Sequence, residues 1–169
     1  MVLPTCSPMG ELKIKVIRGM NLVIADLTSS DPYVVITIGT QKVKTKYVYD
    51  NCNPYWNDEV TLAVFDLDTP IKLMVYDKDL FTSDDYMGEV RIDIIPYLEY
   101  VKADLDPLST GSVVDKIDPT RENSLYDTSY ILWKDGKLVQ DMILKLHNVA
   151  TGEVEIQFEW VDVAGARGL

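Results

Sequence analysis

Short strand-like segments recur along the first half of the chain, and turn-forming residues separate them. Five segments are rich in alternating or β-branched residues, namely ELKIKVIRG (11–19), YVVITIG (33–39), QKVKTKYVY (41–49), EVTLAVF (59–65) and IKLMVYD (71–77). The breakers between them are TSSDP (28–32), IGTQ (38–41), DNCNP (50–54) and DTP (68–70). This regular spacing predicts an all-β antiparallel sandwich and argues against alternating βαβ units.

The pattern changes after one more predicted strand, YMGEVRIDI (86–94). Helical spacing of Ile95, Leu98 and Val101 follows, and 106–130 is polar with prolines at 107 and 119. We therefore expect an insertion, about 97–137, that holds a short helix and a loop. Strand signals return in MILKLHNV (142–149) and EVEIQFEWV (153–161), which brings the expected total to eight strands.

Composition limits the class of protein. The 169 residues, 47% of them apolar, suit one domain over 1–169 with a core of about 10–163. A net charge of -11 argues against non-specific binding of nucleic acid. Two cysteines are too few for a disulfide framework and suit a reducing cytoplasmic or nuclear setting. MVLPTCSPMGELK resembles no signal peptide, so we expect reversible membrane contact from the aqueous side.

Two predicted loops carry several aspartates. IADLTSSDPYV holds Asp26 and Asp31, and VYDKDLFTSDDYMGE holds Asp77, Asp79 and Asp85. Loops at one end of a sandwich can converge, and their oxygens would then suit Ca²⁺, which takes six to eight such ligands. The alternative is that aspartate simply favours turns. An EF-hand is excluded, because threonine and glycine stand where that loop needs glycine and glutamate.

The order of five elements resembles a C2 domain, a calcium- and phospholipid-binding module. The elements are GELKIKVIRGMNL, D-x4-SDPYV, NPYWND, VYDKDLFTSDDYMGE and GEVEIQFEW. The resemblance implies an eight-stranded antiparallel C2 β-sandwich of type II, the permuted topology. It also implies calcium ligation by Asp26, Asp31, Asp77, Asp79 and Asp85, with the backbone carbonyls of Ala25 and Lys78. Asp84 matches no ligand position.

On this interpretation the aspartates and the neighbouring Leu80 and Phe81 form one switch. Crowded carboxylates repel one another until a cation relieves the repulsion. Two Ca²⁺ would cancel four of the six negative charges of Asp84 and the five predicted ligands. Leu80 and Phe81 could then enter the membrane interface, where partial burial is worth roughly 1 to 3 kcal/mol per side chain.

Three lysines alternate in QKVKTKY. Lys42, Lys44 and Lys46 must therefore share one strand face. A solvated face is the simplest explanation. The functional alternative is a site for anionic lipid head groups, and C2 domains that recognise phosphoinositides carry lysines in a similar place.

A closer resemblance is to the plant C2-domain abscisic-acid-related proteins, including small GTPase-activating relatives. SSDPYVVITIG-x-QKVKT, NPYWNDEVTL, DPTRENSL and GEVEIQFEWVDVAG carry it. It implies a calcium-dependent tether that brings abscisic-acid receptors to the plasma membrane, in a protein of the cytoplasm and nucleus. The alternatives are a GTPase activator and a calcium-insensitive membrane scaffold. The five aspartates argue against the last.

The insertion is expected to select the protein partner, an abscisic-acid receptor or a GTPase. Its large apolar side chains would then be spare for an interface: Tyr97, Tyr100, Leu125, Tyr126, Tyr130 and Trp133. The alternatives are that some of them cover the sandwich, or that the segment is a tolerated surface loop.

No enzyme active site is expected. The single histidine, His147, is interpreted as structural, and no nucleophile elbow, phosphate-binding glycine loop or zinc spacing occurs. GTPase activation needs only one exposed arginine. Of Arg18, Arg91, Arg121 and Arg167, we favour Arg121 because it lies in the insertion.

Overall fold

A computed structural model describes residues 6–25 and 30–169. Within these ranges there are ten strands and one helix. They are β1 (Gly10–Met20), β2 (Pro32–Ile38), β3 (Gln41–Lys44), β4 (Tyr55–Val64), β5 (Ile71–Asp77), β6 (Asp85–Ile92), α1 (Ile95–Lys102), β7 (Val113–Ile117), β8 (Ser129–Lys134), β9 (Lys137–Lys145) and β10 (Glu153–Val161).

The strands form two antiparallel sheets that face each other. One sheet has six strands in the order β4-β1-β10-β9-β8-β7, and the other has four in the order β3-β2-β5-β6. The final strand, β10, lies between β1 and β9. The predicted antiparallel β-sandwich is confirmed.

Alternation along the strands explains why the sheets pack. Leu12, Ile14 and Val16 of β1 are fully buried, as are Leu73 and Val75 of β5, whereas the residues between them are partly exposed. Successive side chains of a strand point to opposite faces, so each sheet presents one apolar face. Burying those two faces against each other supplies most of the stabilisation.

Two strands were not predicted. The eight expected segments correspond to β1–β6, β9 and β10, while β7 and β8 lie in the segment predicted to be a loop. Asp135 and Gly136 both have positive φ, 50° and 79°, and Lys134 pairs with Lys137, so β8 and β9 form a hairpin with a two-residue turn. The Asp-Gly signal marks this hairpin, and β7 then extends the sheet from β8.

Part of the insertion packs into the core, which corrects the expectation that its large apolar side chains are spare. Tyr97 and Leu125 belong to the main core cluster, Trp133 is buried, and Tyr100 packs partly buried against the core. Only Tyr126 and Tyr130 of the six stay exposed, as an interface role requires. The alternative that the segment covers the sandwich is correct for the other four.

Tyr97 fastens α1 to the six-stranded sheet. Its side chain is 1% exposed, and its hydroxyl donates to the carbonyl of Leu138 at 2.7 Å and accepts from the N–H of Trp160 at 2.8 Å. Its ring packs edge-on against Phe158 with 5.1 Å between centroids. Burial raises the pKa of this phenol above its usual value, so the hydroxyl stays protonated and can keep donating.

His147 lies just beyond β9 and joins the two sheets. Its backbone N–H donates to the backbone carbonyl of Glu89 at 2.7 Å, and the backbone N–H of Glu89 donates to the carbonyl of His147 at 3.2 Å. The imidazole Nε2 lies 2.8 Å from the hydroxyl of Ser124. These contacts agree with a structural role.

We predict that Tyr97→Phe lowers the free energy of unfolding by about 1 to 3 kcal/mol, because the Leu138 carbonyl and the Trp160 N–H lose a buried partner. Urea unfolding measures the change. The control is Tyr126→Phe, whose ring is exposed and whose loss we expect to stay within about 0.5 kcal/mol. Equal stability of the two variants would contradict the bridging role.

Candidate functional site

Aspartates from three neighbouring strands meet at one end of the four-stranded sheet. Asp77 is the last residue of β5, Asp85 is the first of β6, and Asp31 directly precedes β2. In the sheet register Asp77 lies opposite both Asp85 and Pro32. The antiparallel pairing therefore brings the three backbone positions together at a single edge.

Asp77 occupies a core-facing position. It continues the buried row of Ile71, Leu73 and Val75 along β5, and it is only 1% exposed. A buried carboxylate is costly unless it is hydrogen-bonded, and Asp77 Oδ1 accepts from the N–H of Asp31 at 2.7 Å. Residues directly opposite each other in an antiparallel pair project to the same face, so Asp85 shares this face with Asp77.

Asp31 links three loops through its own polar groups. Besides the bond from its N–H to Asp77, its Oδ1 accepts from the N–H of Asp50 at 2.8 Å. Its backbone carbonyl accepts from the N–H of Lys78 at 3.0 Å. The segments around residues 31, 50 and 78 are thus held in one arrangement by short, directional bonds.

The loop after β5 is shaped by Asp79. Its Oδ1 accepts from the N–H of Phe81 at 3.0 Å, and its Oδ2 accepts from the Thr82 hydroxyl at 2.6 Å. The Thr82 hydroxyl, followed by the Phe81 N–H, lowers the pKa of the Asp79 carboxyl below its usual value. Asp79 is therefore a carboxylate at neutral pH.

Asp84 matched no ligand position, and the structure gives it a different task. Its Oδ1 accepts from the N–H of Asp79 at 2.9 Å, and its Oδ2 accepts from the Tyr33 hydroxyl and lies 3.9 Å from Lys78 Nζ. The Asp79 N–H and then the Tyr33 hydroxyl lower the pKa of Asp84, while burial raises the pKa of Tyr33. Asp84 therefore anchors the loop to β2.

The sequence gives no direct signal for this anchor. It depends on the side chain of Tyr33, which stacks on Tyr76 of the next strand with 5.9 Å between ring centroids. Sequence reasoning would need the register of β2 against β5 to find it.

The predicted metal ligands have different surroundings. Asp26 lies outside the described residues. Ala25 donates its N–H to the Ser30 hydroxyl at 3.0 Å, and Lys78 directs its ammonium toward Asp84. Asp31, Asp77 and Asp85 are brought together at the strand ends, whereas Asp79 bonds within its own loop.

The donor chemistry suits calcium. Carboxylate and carbonyl oxygens are the ligands of hard cations such as Ca²⁺, and the aspartates at these strand ends are of that type. Over 6–25 and 30–169, no group of three or more His, Cys, Asp or Glu side chains is close enough to hold a metal ion. The residues thus fit the ion by ligand type, and the described carboxylates do not form a complete site.

Apolar side chains project from the same end of the molecule. Leu80 is 78% exposed and Phe81 is 95% exposed, in the loop between β5 and β6. Sequence reasoning missed two others, Ile24 after β1 and Tyr49 after β3, which are also exposed. The described parts of the loops after β1, β3 and β5 therefore each carry an exposed apolar group.

The three lysines lie on the edge of the four-stranded sheet. Lys42 and Lys44 belong to β3, where they pair with Thr37 and Val35 of β2. Lys46 follows the strand, and its N–H donates to Asp58 at 2.9 Å. All three side chains are exposed, so positive charge is concentrated on this edge of an acidic protein.

The arginines fall into two groups. Arg18 pairs with Glu155 at 2.6 Å, and Arg167 donates to the carbonyls of Ser7 and Phe65. Arg91 and Arg121 are exposed and make no ion pair within the described ranges.

No helix in the described part of the chain is long and apolar enough to cross a membrane.

Comparison with solved structures places this geometry among C2 domains. The calcium-bound pair of C2 domains from Extended-Synaptotagmin 2 superposes with a TM-score of 0.64 at 21% identity, over 92% of this chain and 47% of that chain. A single C2 domain of plant Extended Synaptotagmin 1 gives a TM-score of 0.58 at 20% identity, over 93% and 98%. At these identities the likeness concerns the fold.

Sequence comparisons give the family. The C2 domain model matches residues 10–107. C2-DOMAIN ABA-RELATED 6 of Arabidopsis thaliana is 52% identical, with 95% of this chain and 92% of the relative covered. C2-DOMAIN ABA-RELATED 1 is 50% identical (95% and 97%), and GTPase activating protein 1 of Oryza sativa subsp. indica is 45% identical (95% and 96%). The chain therefore belongs to the C2-domain ABA-related family of C2-domain proteins.

Proposed function

We propose that this protein binds phospholipid membranes in a calcium-dependent way and tethers abscisic-acid receptors to the plasma membrane. The observation that carries the proposal is the meeting of Asp31, Asp77 and Asp85 at three strand ends, beside the exposed Leu80 and Phe81. C2 domains generally bind membranes, and family membership supports a role in abscisic-acid signalling.

Hydrogen bonds within the protein shape the described part of these loops. Asp31 and Asp84 fix the backbone by accepting N–H groups, and the ionised Asp79 adds charge to the same end. Bound Ca²⁺ would supply positive charge that offsets carboxylate repulsion and attracts lipid phosphates. Phe81 and Leu80 then lie where an apolar side chain can enter the interface.

The remaining features follow from this proposal. Asp26, Asp79 and the carbonyls of Ala25 and Lys78 complete the calcium site, and Lys42, Lys44 and Lys46 contact anionic head groups. The chain is one C2 domain whose 97–137 segment selects the partner. It works in the cytoplasm and nucleus and attaches peripherally to the plasma membrane.

A second candidate function is GTPase activation. The rice relative is called a GTPase activating protein, and Arg121 is exposed without an ion pair in the described part of the chain. An arginine supplied to a GTPase stabilises charge that develops on the transferred phosphoryl group. Arg18 is a poor candidate because its guanidinium is already paired with Glu155.

We predict that Asp31→Asn combined with Asp77→Asn abolishes calcium-dependent binding to anionic liposomes. Asparagine keeps an oxygen that can accept the backbone N–H groups of Asp50 and Asp31 but removes the negative charge. Co-sedimentation with and without calcium, with an abscisic-acid receptor present, measures membrane binding and recruitment together. Asp104→Asn with Asp106→Asn is the charge-matched control. Parent-like sedimentation of the site variant would show that the site is assigned wrongly.

We predict that Phe81→Ala weakens liposome binding about five- to thirtyfold, which corresponds to about 1 to 2 kcal/mol of lost burial. Calcium binding without lipid should not change, because alanine keeps the N–H that Asp79 accepts. Titration with liposomes and calorimetry with calcium measure the two effects. Tyr126→Ala, another exposed aromatic, is the control. Unchanged lipid affinity of Phe81→Ala would refute membrane insertion by this loop.

For the second candidate function, we predict that Arg121→Ala removes stimulation of GTP hydrolysis in a panel of purified small GTPases. An arginine finger is worth about 10³- to 10⁵-fold in rate, and Arg121→Lys should not restore it because lysine lacks the planar fork. Arg91→Ala is the matched exposed control. Equal stimulation by Arg121→Ala and the parent would exclude this residue, and no stimulation by the parent would exclude the function.

A further inference from the structure

A groove runs along β6, from the 66–70 loop at the end of the sandwich away from the aspartate loops to His147 and Asn148 just after β9. Its walls are the 66–70 loop, β6, the first turn of α1 and the 117–125 segment, and its volume is about 730 Å³. This is large enough for several apolar side chains. The lining residues Ile117, Thr120 and 122–125 belong to the insertion, so this segment builds one wall.

The floor of the groove is apolar. Ile71, Ile92 and Ile94 line it and are buried in the core. Leu67 and Ile95 line it too, and they remain 39% and 40% exposed. Covering these two side chains with an apolar group of another molecule would remove apolar surface from water and so favour binding.

The rim of the groove is acidic. Asp68, Asp93 and Glu122 line it, are exposed, and make no ion pair in the described ranges. Of the other charged groups, Asp66 accepts hydrogen bonds from the N–H and hydroxyl of Thr69, and Glu89 is paired with Lys72 at 3.2 Å. Arg91 and His147 are the basic residues of the lining. The three rim carboxylates therefore present negative charge that this chain does not offset.

The wall made by the insertion is held in place. The Asn123 side chain accepts from the N–H of Thr120 at 2.8 Å and donates to the carbonyl of Asp118 at 3.0 Å. The N–H of Tyr126 donates to Ile143 of β9 at 2.8 Å. A wall fixed by such bonds does not need to be ordered again when a partner binds, which lowers the cost of binding.

We propose that this groove binds a cationic amphipathic segment of a partner protein, with apolar side chains on the floor and lysines or arginines on the rim. This inference rests on the proposed function, in which the chain brings a protein partner to a membrane. Apolar grooves with complementary charge at the edge are a common way to bind amphipathic helices. The charge of the rim disfavours an acidic segment and an anionic lipid surface.

One end of the groove is well separated from the aspartate loops. Ile71 begins β5 beside the groove, and Asp77 ends it at the aspartate loops. Seven residues of strand span about 20 Å. A partner at the 66–70 end of the groove would therefore lie away from a membrane held at the aspartate loops.

The test uses a synthetic helical peptide with leucines on one face and lysines on the other, without lipid or calcium and at physiological salt. Fluorescence anisotropy measures its affinity for the full chain. We expect Asp68→Asn, Asp93→Asn and Glu122→Gln together to weaken binding about tenfold, because three exposed ion pairs are lost. Asparagine at 93 keeps the oxygen that accepts the Ile95 N–H.

The charge-matched control is Glu99→Gln with Asp104→Asn and Asp106→Asn, which are exposed and outside the groove. We expect it to change binding no more than about twofold, since distant charges are screened. Equal weakening by both triple variants would mean non-specific attraction to an acidic protein and would overturn the proposal. Tight binding of a peptide with glutamates in place of lysines would also overturn it.

A second pair of variants tests the floor. Ile95→Ala should weaken peptide binding about threefold to tenfold, whereas Leu108→Ala, another exposed apolar residue away from the groove, should not. If the parent chain self-associates and the triple variant of the rim does not, the groove binds a second copy of the chain, which would overturn the proposal. A parent chain that binds liposomes with calcium but does not bind the peptide would overturn the groove alone. A parent chain that binds the peptide but shows no calcium-dependent liposome binding would overturn the membrane function alone.

Discussion

The register between β2, β5 and β6 is the constraint on which the aspartate site depends. Burial of Ile71, Leu73 and Val75 on one face of β5 sets which side chains point inward. A slip of one residue would turn this row, and Asp77 with it, to the opposite face. The hydrophobic effect therefore positions a charged group, because the same alternation that fills the core places a carboxylate at its edge.

The aspartates at this end do two physically different things. Asp31 and Asp84 accept backbone N–H groups and so help to shape the segments around residues 50 and 79. The same bonds stabilise the charged form, as the lowered pKa of Asp84 indicates. Negative charge is thus retained at neutral pH, and the hydrogen bonds that these carboxylates accept lower the entropic cost of ordering the loops when a cation binds.

Local signals predicted eight of the strands, because alternation and turn residues are properties of neighbouring positions. They did not predict β7 and β8, although Asp135-Gly136 marks the hairpin of β8 and β9, because the polar composition of 106–130 suggested a loop. The burial of Tyr97 depends on Leu138 and Trp160, which are far away in sequence. The anchoring role of Asp84 likewise depends on Tyr33, so it required the strand register.

Both ends of the sandwich combine acidic and apolar side chains, yet their spacing favours different counter-charges. Directly opposite residues of antiparallel strands have Cβ atoms about 4.5 to 5.5 Å apart, so the carboxylates of Asp77 and Asp85 can share one small ion. Asp68, Asp93 and Glu122 instead come from three separate elements around an apolar floor. A single ion cannot bridge such a rim, whereas a helix with several long cationic side chains can. Under the two proposals, the spacing set by the fold, rather than the number of charges, separates a metal-binding end from a protein-binding groove.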